Sequence, residues 1–215
     1  MINFYYFILT ILRIIKYLIS DTKRYSNILS IIFYCKPKSI AEIGVYRGVR
    51  SREMIQAAKI FNKNIEYFGF DLFEMINKKI QKKELSKIPY SRKNIQKNLS
   101  KHARVKLFKG YTVKTLDKLK NKKVDLIFID GGHRLSTIKN DWIKSKKFQK
   151  KNTIIIFDDY YLNNKKIIKN FGCNQVVNKI SDKNYLKKFC IFTDKFIHLG
   201  QRLDIKMILL KKLDD

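Results

Sequence analysis

The sequence predicts an α/β protein: a doubly wound, mostly parallel seven-stranded sheet with a C-terminal antiparallel hairpin and an extra N-terminal apolar helix. Three observations predict it. Short continuous apolar runs alternate with helix-patterned segments, as strands buried on both faces of a parallel sheet require. No repeat and no Pro/Gly/Ser-rich linker divides them, and 215 residues suit one domain with its own core. Near the end of the chain the pattern changes to two strand-like runs with no helix between them.

The opening stretch, "MINFYYFILTILRIIKYLIS", is nearly all apolar. Its interruptions, Asn3, Thr10, Arg13, Lys16 and Ser20, recur at steps of 7, 3, 3 and 4, which on a helix makes one narrow polar stripe. Basic residues do not lead it and no small-residue cleavage site follows, so it does not read as a signal peptide. Arg13 and Lys16 would sit awkwardly in a spanning helix. It reads instead as a helix packed on the domain, on a partner subunit (a homodimer) or in a membrane interface through residues 1–20. A second short apolar helix, "ILSIIFY", follows. Residues 1–30 are taken as an N-terminal helical extension and 31–215 as the main domain.

"SIAEIGV" reads as the first strand and "RSREMIQAAKIF" as a helix with Ser51 in its first turn. "IEYFGFDLF" is a second strand. Residues 74–100 are lysine-rich, helical in part, broken near Pro89, and read as an insert or lid. "RVKLFKG" is a third strand, "TVKTLDKL" a short helix, "KVDLIFID" a fourth strand, "STIKNDWIKSKKF" a helix and "NTIIIFDDY" a fifth strand. "FCIFTDKFIHL" and "RLDIKMILLKK" form the hairpin through Gly200.

A formal net charge of +29 would point to nucleic acid or an anionic surface. Only nine of the 47 basic residues are Arg, and the lysines are spread along the chain, whereas phosphate recognition favours the planar guanidinium fork. A dedicated nucleic-acid function is therefore not the expectation. Cys35, Cys173 and Cys190 are far apart, with no C-x-x-C, and read as small buried hydrophobes in a cytoplasmic protein. His102 and His198 read as surface or packing residues.

In an open parallel sheet, ligands bind outside the carboxyl ends of the strands. Glu42, Gly44 and Gly48 stand at the end of the first strand, and glycines there let backbone turn tightly beside a ligand. Asp71 ends the second strand, placed to accept hydrogen bonds from ribose hydroxyls. Gly110, Tyr111 and Thr112 end the third, Asp130 the fourth, and Asp158-Asp159 the fifth. These acids should converge on one rim.

With these strand ends in order, the chain resembles a class I S-adenosylmethionine-dependent methyltransferase of Rossmann-like fold over about residues 38–161. "EIGVYRGVRS" resembles motif I of catechol-type O-methyltransferases. "VDLIFIDGGH", followed by Asp141, and "IIIFDDYY" resemble the fourth and fifth strands of metal-dependent O-methyltransferases, macrocin-type sugar enzymes among them. The loop before the fifth strand departs from that pattern, reading "KKNT" in place of Pro-Gly-Gly, and Leu135 stands where an aromatic is common.

The resemblance implies an O-methyltransferase that acts on a hydroxyl of a small molecule or sugar. It assigns S-adenosylmethionine to Glu42, Gly44, Val45 and Gly48, to Asp71 and Leu72, to Gly110, Tyr111 and Thr112 by the adenine, and to Asp130. It implies a divalent ion such as Mg²⁺ on Asp130, Asp158 and Asp159, because three carboxylates are costly to gather without a cation. His133, three residues after the first of these acids, is implied as the general base, and imidazole ordinarily titrates near neutral pH. The competing readings are an RNA or DNA methyltransferase, and a non-catalytic binding protein on the same fold.

Overall fold

The computed structural model describes residues 3–119, 121–198 and 201–213. Strands β1 (Ser39–Ile43), β2 (Glu66–Asp71), β3 (Arg104–Lys109), β4 (Leu126–Ile129), β5 (Ile154–Tyr161), β6 (Tyr185–His198) and β7 (Gln201–Lys212) form one sheet in the order β3-β2-β1-β4-β5-β7-β6. The first five pair in parallel, and β7 pairs antiparallel with both β5 and β6. Gly200, the expected hairpin tip, lies outside the described residues, as does the side chain of His198. Strand order reverses direction between β1 and β4, which puts the ligand-binding crevice above their carboxyl ends.

Side chains alternate between two cores, as the period of a strand requires. Ile40, Tyr67, Leu126, Phe128, Ile154 and Ile156 point to one face. It is covered by α1 (Phe4–Leu18), α2 (Tyr25–Cys35), α3 (Val49–Ala58) and, beyond the short α4 (Lys78–Glu84), α5 (Arg92–Leu99). Ala41, Ile43, Phe68, Phe70, Ile127, Ile129, Ile155 and Phe157 point to the other. There, after the single turn α6 (Thr112–Thr115), α7 (Leu135–Ser145) packs Ile138 and Trp142; past α8 (Lys165–Asn170), α9 (Asn174–Val177) adds Val176 and Val177. The sequence patterns had not marked α8 and α9, whose brevity leaves no periodicity to read. Cys173 and Cys190 are buried and Cys35 half-buried.

The N-terminal helix is turned the other way from an ordinary amphipathic surface helix. Thr10 and Tyr17 are buried. The Arg13 guanidinium donates to Gln56 Oε1 (2.5 Å) and the Tyr17 hydroxyl to Glu53 Oε2 (2.7 Å), both acceptors on α3. Phe4, Tyr5, Leu12, Ile15 and Ile19 face outward, at 50–82% exposure. Thr10 and Arg13 of the polar stripe lie on the docking face with Ile14 and Tyr17, where α3 presents a carboxylate and an amide, whereas Lys16 is exposed. Among the described residues no helix is long and apolar enough to cross a membrane. α2 runs through residue 30 and adds Ile28, Leu29 and Ile32 to the first core without a break.

One strand-end expectation needs correcting. Asp158 and Asp159 do not end β5, which continues to Tyr161. They sit in a bulge, where the β5–β7 register shifts between Phe157 and Tyr160 and Asp159 takes φ 57°. A bulge breaks the alternation that would send adjacent side chains to opposite faces, so both acids can serve the same neighbourhood.

Candidate active site

The half of the rim at the ends of β1, β2 and β3 is built by backbone hydrogen bonds. After β1 the chain turns through Gly44 at φ 95°, and a Cβ there would lie 1.9 Å from the carbonyl oxygen of Asp130. Only glycine lets the β1 loop cross that close to the end of β4. Asp71 ties the loop down: Oδ2 accepts from the Val45 and Tyr46 amides (2.8 Å each), and Oδ1 from Phe73 (3.0 Å). A carboxylate has about four acceptor sites, so Oδ1 keeps capacity for a ribose hydroxyl. Gly48 at φ 72° precedes α3 as its N-cap. Leu72 follows directly into a turn at Phe73–Met75.

Glu42 lies beneath this loop and does not reach the rim. It is 1% exposed, and its Oε2 accepts from the Ser51 and Tyr67 hydroxyls. Burial pushes it up to about 8. Its position joins β1 to α3 and β2. At the end of β3, Gly110 takes φ 132°, Tyr111 is half exposed, and the Thr112 hydroxyl accepts from Asn140 (3.4 Å). Asp141 beside it is fully buried, its Oδ2 without a hydrogen-bond partner among the described residues and 3.3 Å from where a Gly131 Cβ would stand. Burial pushes this acid up to about 7.

The other half is built by side chains that meet from far apart in sequence. Nδ1 of His133 is hydrogen-bonded to Asp159 Oδ2. The backbone around them is clamped: the Gly172 amide donates to the His133 carbonyl (2.9 Å) and the Cys173 amide to that of Asp159 (3.1 Å). α4 closes over the same loop, the Glu84 carbonyl accepting from the His133 amide (3.3 Å) and Glu84 Oε2 from Thr137 Oγ1 (3.0 Å). The α4 part of the lysine-rich insert is thus docked on this loop through Glu84, while its α5 part packs Ile95 and Leu99 into the first core. Burial works against a charged imidazole, but Asp159 outweighs it and His133 is pushed up to about 9, away from the near-neutral value expected of it. Asp159 is held below the usual carboxylate range: burial opposes its charge, and His133 more than offsets that. Burial, then Asp158 and Asp159, push Asp130 well above that range.

The residues expected to bind Mg²⁺ do not fit it as they stand. Both oxygens of Asp158 accept from Arg24, Nε to Oδ1 at 2.8 Å and Nη2 to Oδ2 at 3.0 Å. Asp159 is paired with His133. Among the described residues no group of three or more His, Cys, Asp or Glu is arranged to hold an ion. Arg24, its second partner Asp194, and Glu84 were missed from the sequence. Arg24 is 134 residues from Asp158 and 170 from Asp194, and no local spacing marks such a meeting.

A family profile described as a methyltransferase domain matches residues 41–160, more than half of the chain. The chain belongs to the methyltransferase family. Solved structures agree on the fold. The N-methyltransferase NodS from Bradyrhizobium japonicum, in complex with S-adenosyl-L-homocysteine, is 9% identical with a TM-score of 0.61, covering 89% of this chain and 87% of its own. The O-methyltransferase from Bacillus cereus, in complex with S-adenosyl-L-homocysteine, is 14% identical with a TM-score of 0.55, covering 90% and 82%. TomG from Streptomyces achromogenes, an O-methyltransferase of tomaymycin synthesis in complex with S-adenosylmethionine, is 10% identical with a TM-score of 0.54, covering 87% and 78%. No curated protein matches the sequence significantly. At these identities the likeness establishes the class I methyltransferase fold.

Proposed function

We propose that this methyltransferase uses S-adenosylmethionine to methylate a hydroxyl of a small molecule or sugar, with His133 as general base. The observation that carries the reading is the His133–Asp159 pair beside the glycine loop. Nδ1 is held by Asp159, which leaves Nε2 for the acceptor. An acceptor oxygen attacks the methyl carbon, the carbon–sulfur bond breaks with its electrons returning to sulfur, and the hydroxyl proton passes to Nε2. Asp159 stabilises the imidazolium that results. Gly44, Val45, Gly48, Asp71 and Leu72 would hold the methionine and ribose parts of the cofactor, and Gly110, Tyr111 and Thr112 the adenine. Metal assistance, implied by the resemblance, would need Arg24 to leave Asp158, and no step here is routed through it. Calorimetry with S-adenosyl-L-homocysteine, followed by a methyl-transfer assay on hydroxylated sugars and small molecules with RNA as a further acceptor, tests the reading. Absence of cofactor binding overturns it; transfer to RNA alone would reassign the acceptor in line with the net charge.

Residues 31–215 would form the methyltransferase domain, with residues 1–30 as a helical extension whose outward apolar face takes an anionic membrane surface. Flotation with anionic vesicles should be lost on deleting residues 1–20. Flotation that is absent in the full chain, with a dimer on gel filtration, would assign that face to a second copy.

A further inference from the structure

The positive charge among these carboxylates comes from the chain itself. Arg24 stands in the turn between α1 and α2, its side chain 12% exposed. Besides its two hydrogen bonds to Asp158, its Nη1 donates to Asp194, its backbone amide donates to Asp194 Oδ1 (2.8 Å), and Nη2 donates to the Tyr25 hydroxyl (3.1 Å). Asp158 and Asp194 are 2% and 3% exposed at their side chains. Two buried carboxylates need a partner that is charged and forked, and guanidinium meets both needs where a lysine ammonium meets one.

The contact reaches the proposed base in one further step. Asp158 Oδ1, held by Arg24, also accepts from the backbone amide of Asp159 (2.9 Å). Asp159 occupies the strained position of the bulge and holds His133. The turn that carries Arg24 is itself fixed from the other side. The Arg50 guanidinium lies 3.9 Å from the Tyr25 ring and 4.7 Å from the Tyr17 ring, and Arg50 pairs with Glu53 on α3.

We propose that Arg24 stands in for a divalent cation: the N-terminal segment supplies a built-in positive charge to the acids of β5, so that the site needs no metal, and Arg24 acts as a positioning residue for Asp159 and, through it, His133. The proposal rests on the methyltransferase reading above. It also makes the turn after α1 part of the site.

The test uses Mn²⁺ alone as probe, by electron paramagnetic resonance and calorimetry on the full chain, with S-adenosyl-L-homocysteine titrated separately. Wild type should show no stoichiometric Mn²⁺ site and should bind S-adenosyl-L-homocysteine. Arg24→Ala should gain a Mn²⁺ site, which Arg24→Ala combined with Asp158→Asn should lose again. Arg24→Lys should remain without one. A merely structural arginine would not produce that gain. Stoichiometric Mn²⁺ in the wild type that Asp158→Asn removes would overturn the proposal, as would a folded Arg24→Ala protein with no Mn²⁺ site. If Arg24→Ala does not fold, the wild-type and Arg24→Lys arms decide. Failure of the wild type to bind S-adenosyl-L-homocysteine would instead remove the methyltransferase reading, whatever Mn²⁺ does.

Discussion

The two halves of the rim are held together by different means. At the ends of β1, β2 and β3, the cofactor half is set by backbone amides meeting one carboxylate, Asp71, and by glycines that permit close crossing. Past the end of β4 and within β5, the acceptor half is set by side-chain ion pairs, Arg24 with Asp158 and His133 with Asp159, in a bulge that regular pairing would not create. Backbone cradles tolerate little substitution because nothing can move aside. Ion-pair clusters fail by degrees, and each charge removed leaves its partner buried and uncompensated.

The largest effect should come from Gly44→Ala. The new Cβ would overlap the Asp130 carbonyl, and φ 95° is strained for any side chain, so a loss of about 4 kcal/mol or more in stability is expected. Thermal or urea unfolding checks it, and a wild-type midpoint would mean that the two strand ends are not packed as described. On the acceptor half, His133→Ala should lower stability by leaving Asp159 buried without its partner, keep cofactor binding near wild type, and cut turnover by roughly 10²–10⁴-fold if His133 is the base. Unchanged kcat would reduce His133 to a structural role.

The pH profile sharpens the same contrast. The base must be neutral, and Asp159 raises the His133 pKa to about 9, so turnover should climb with pH and level off above about 9. Asp159→Asn should move that limb down towards the ordinary histidine value of about 6.5. The sign for stability is the reverse: a raised histidine pKa stabilises fully below the unfolded value and ceases to do so as pH rises through about 9. An activity limb that ignores Asp159→Asn would break the assignment.

Asp71→Ala should act on the cofactor half alone, weakening S-adenosyl-L-homocysteine binding by roughly 1–3 kcal/mol as the loop amides lose their acceptor. Retained affinity, measured by calorimetry, would show that the loop holds itself. The smallest change expected is Tyr17→Phe, which removes two hydrogen bonds between α1 and α3, the one donated to Glu53 and the one accepted from Arg50, and should cost about 1–2 kcal/mol in stability with cofactor affinity unchanged. A drop in that affinity would tie α1 more closely to the cofactor loop than its contacts indicate.

The sequence by itself determined the sheet, its parallel core and the glycine turns and acid at the ends of β1, β2 and β3. These depend on short-range patterns: apolar runs of strand length, glycines at strand ends, an acid closing "YFGFD". Such signals are local because the backbone conformations they permit are local. Even there, the buried place of Glu42 beneath the loop came only with the packing of Ser51 and Tyr67 around it. Tertiary structure decided the acceptor half. Asp130, Asp158, Asp159 and His133 were visible as residue types, but which cation each carboxylate takes depends on chains that meet in space. Arg24 reaches Asp158 across 134 residues, and Asp194 joins from the edge strand β6. The direction α1 faces was decided the same way: its polar stripe was plain in the sequence, but that Thr10 and Arg13 turn inward while Lys16 stays exposed follows from Glu53 and Gln56 waiting on α3. Electrostatic pairing is long-range in sequence and short-range in space, and only the folded chain brings the two together.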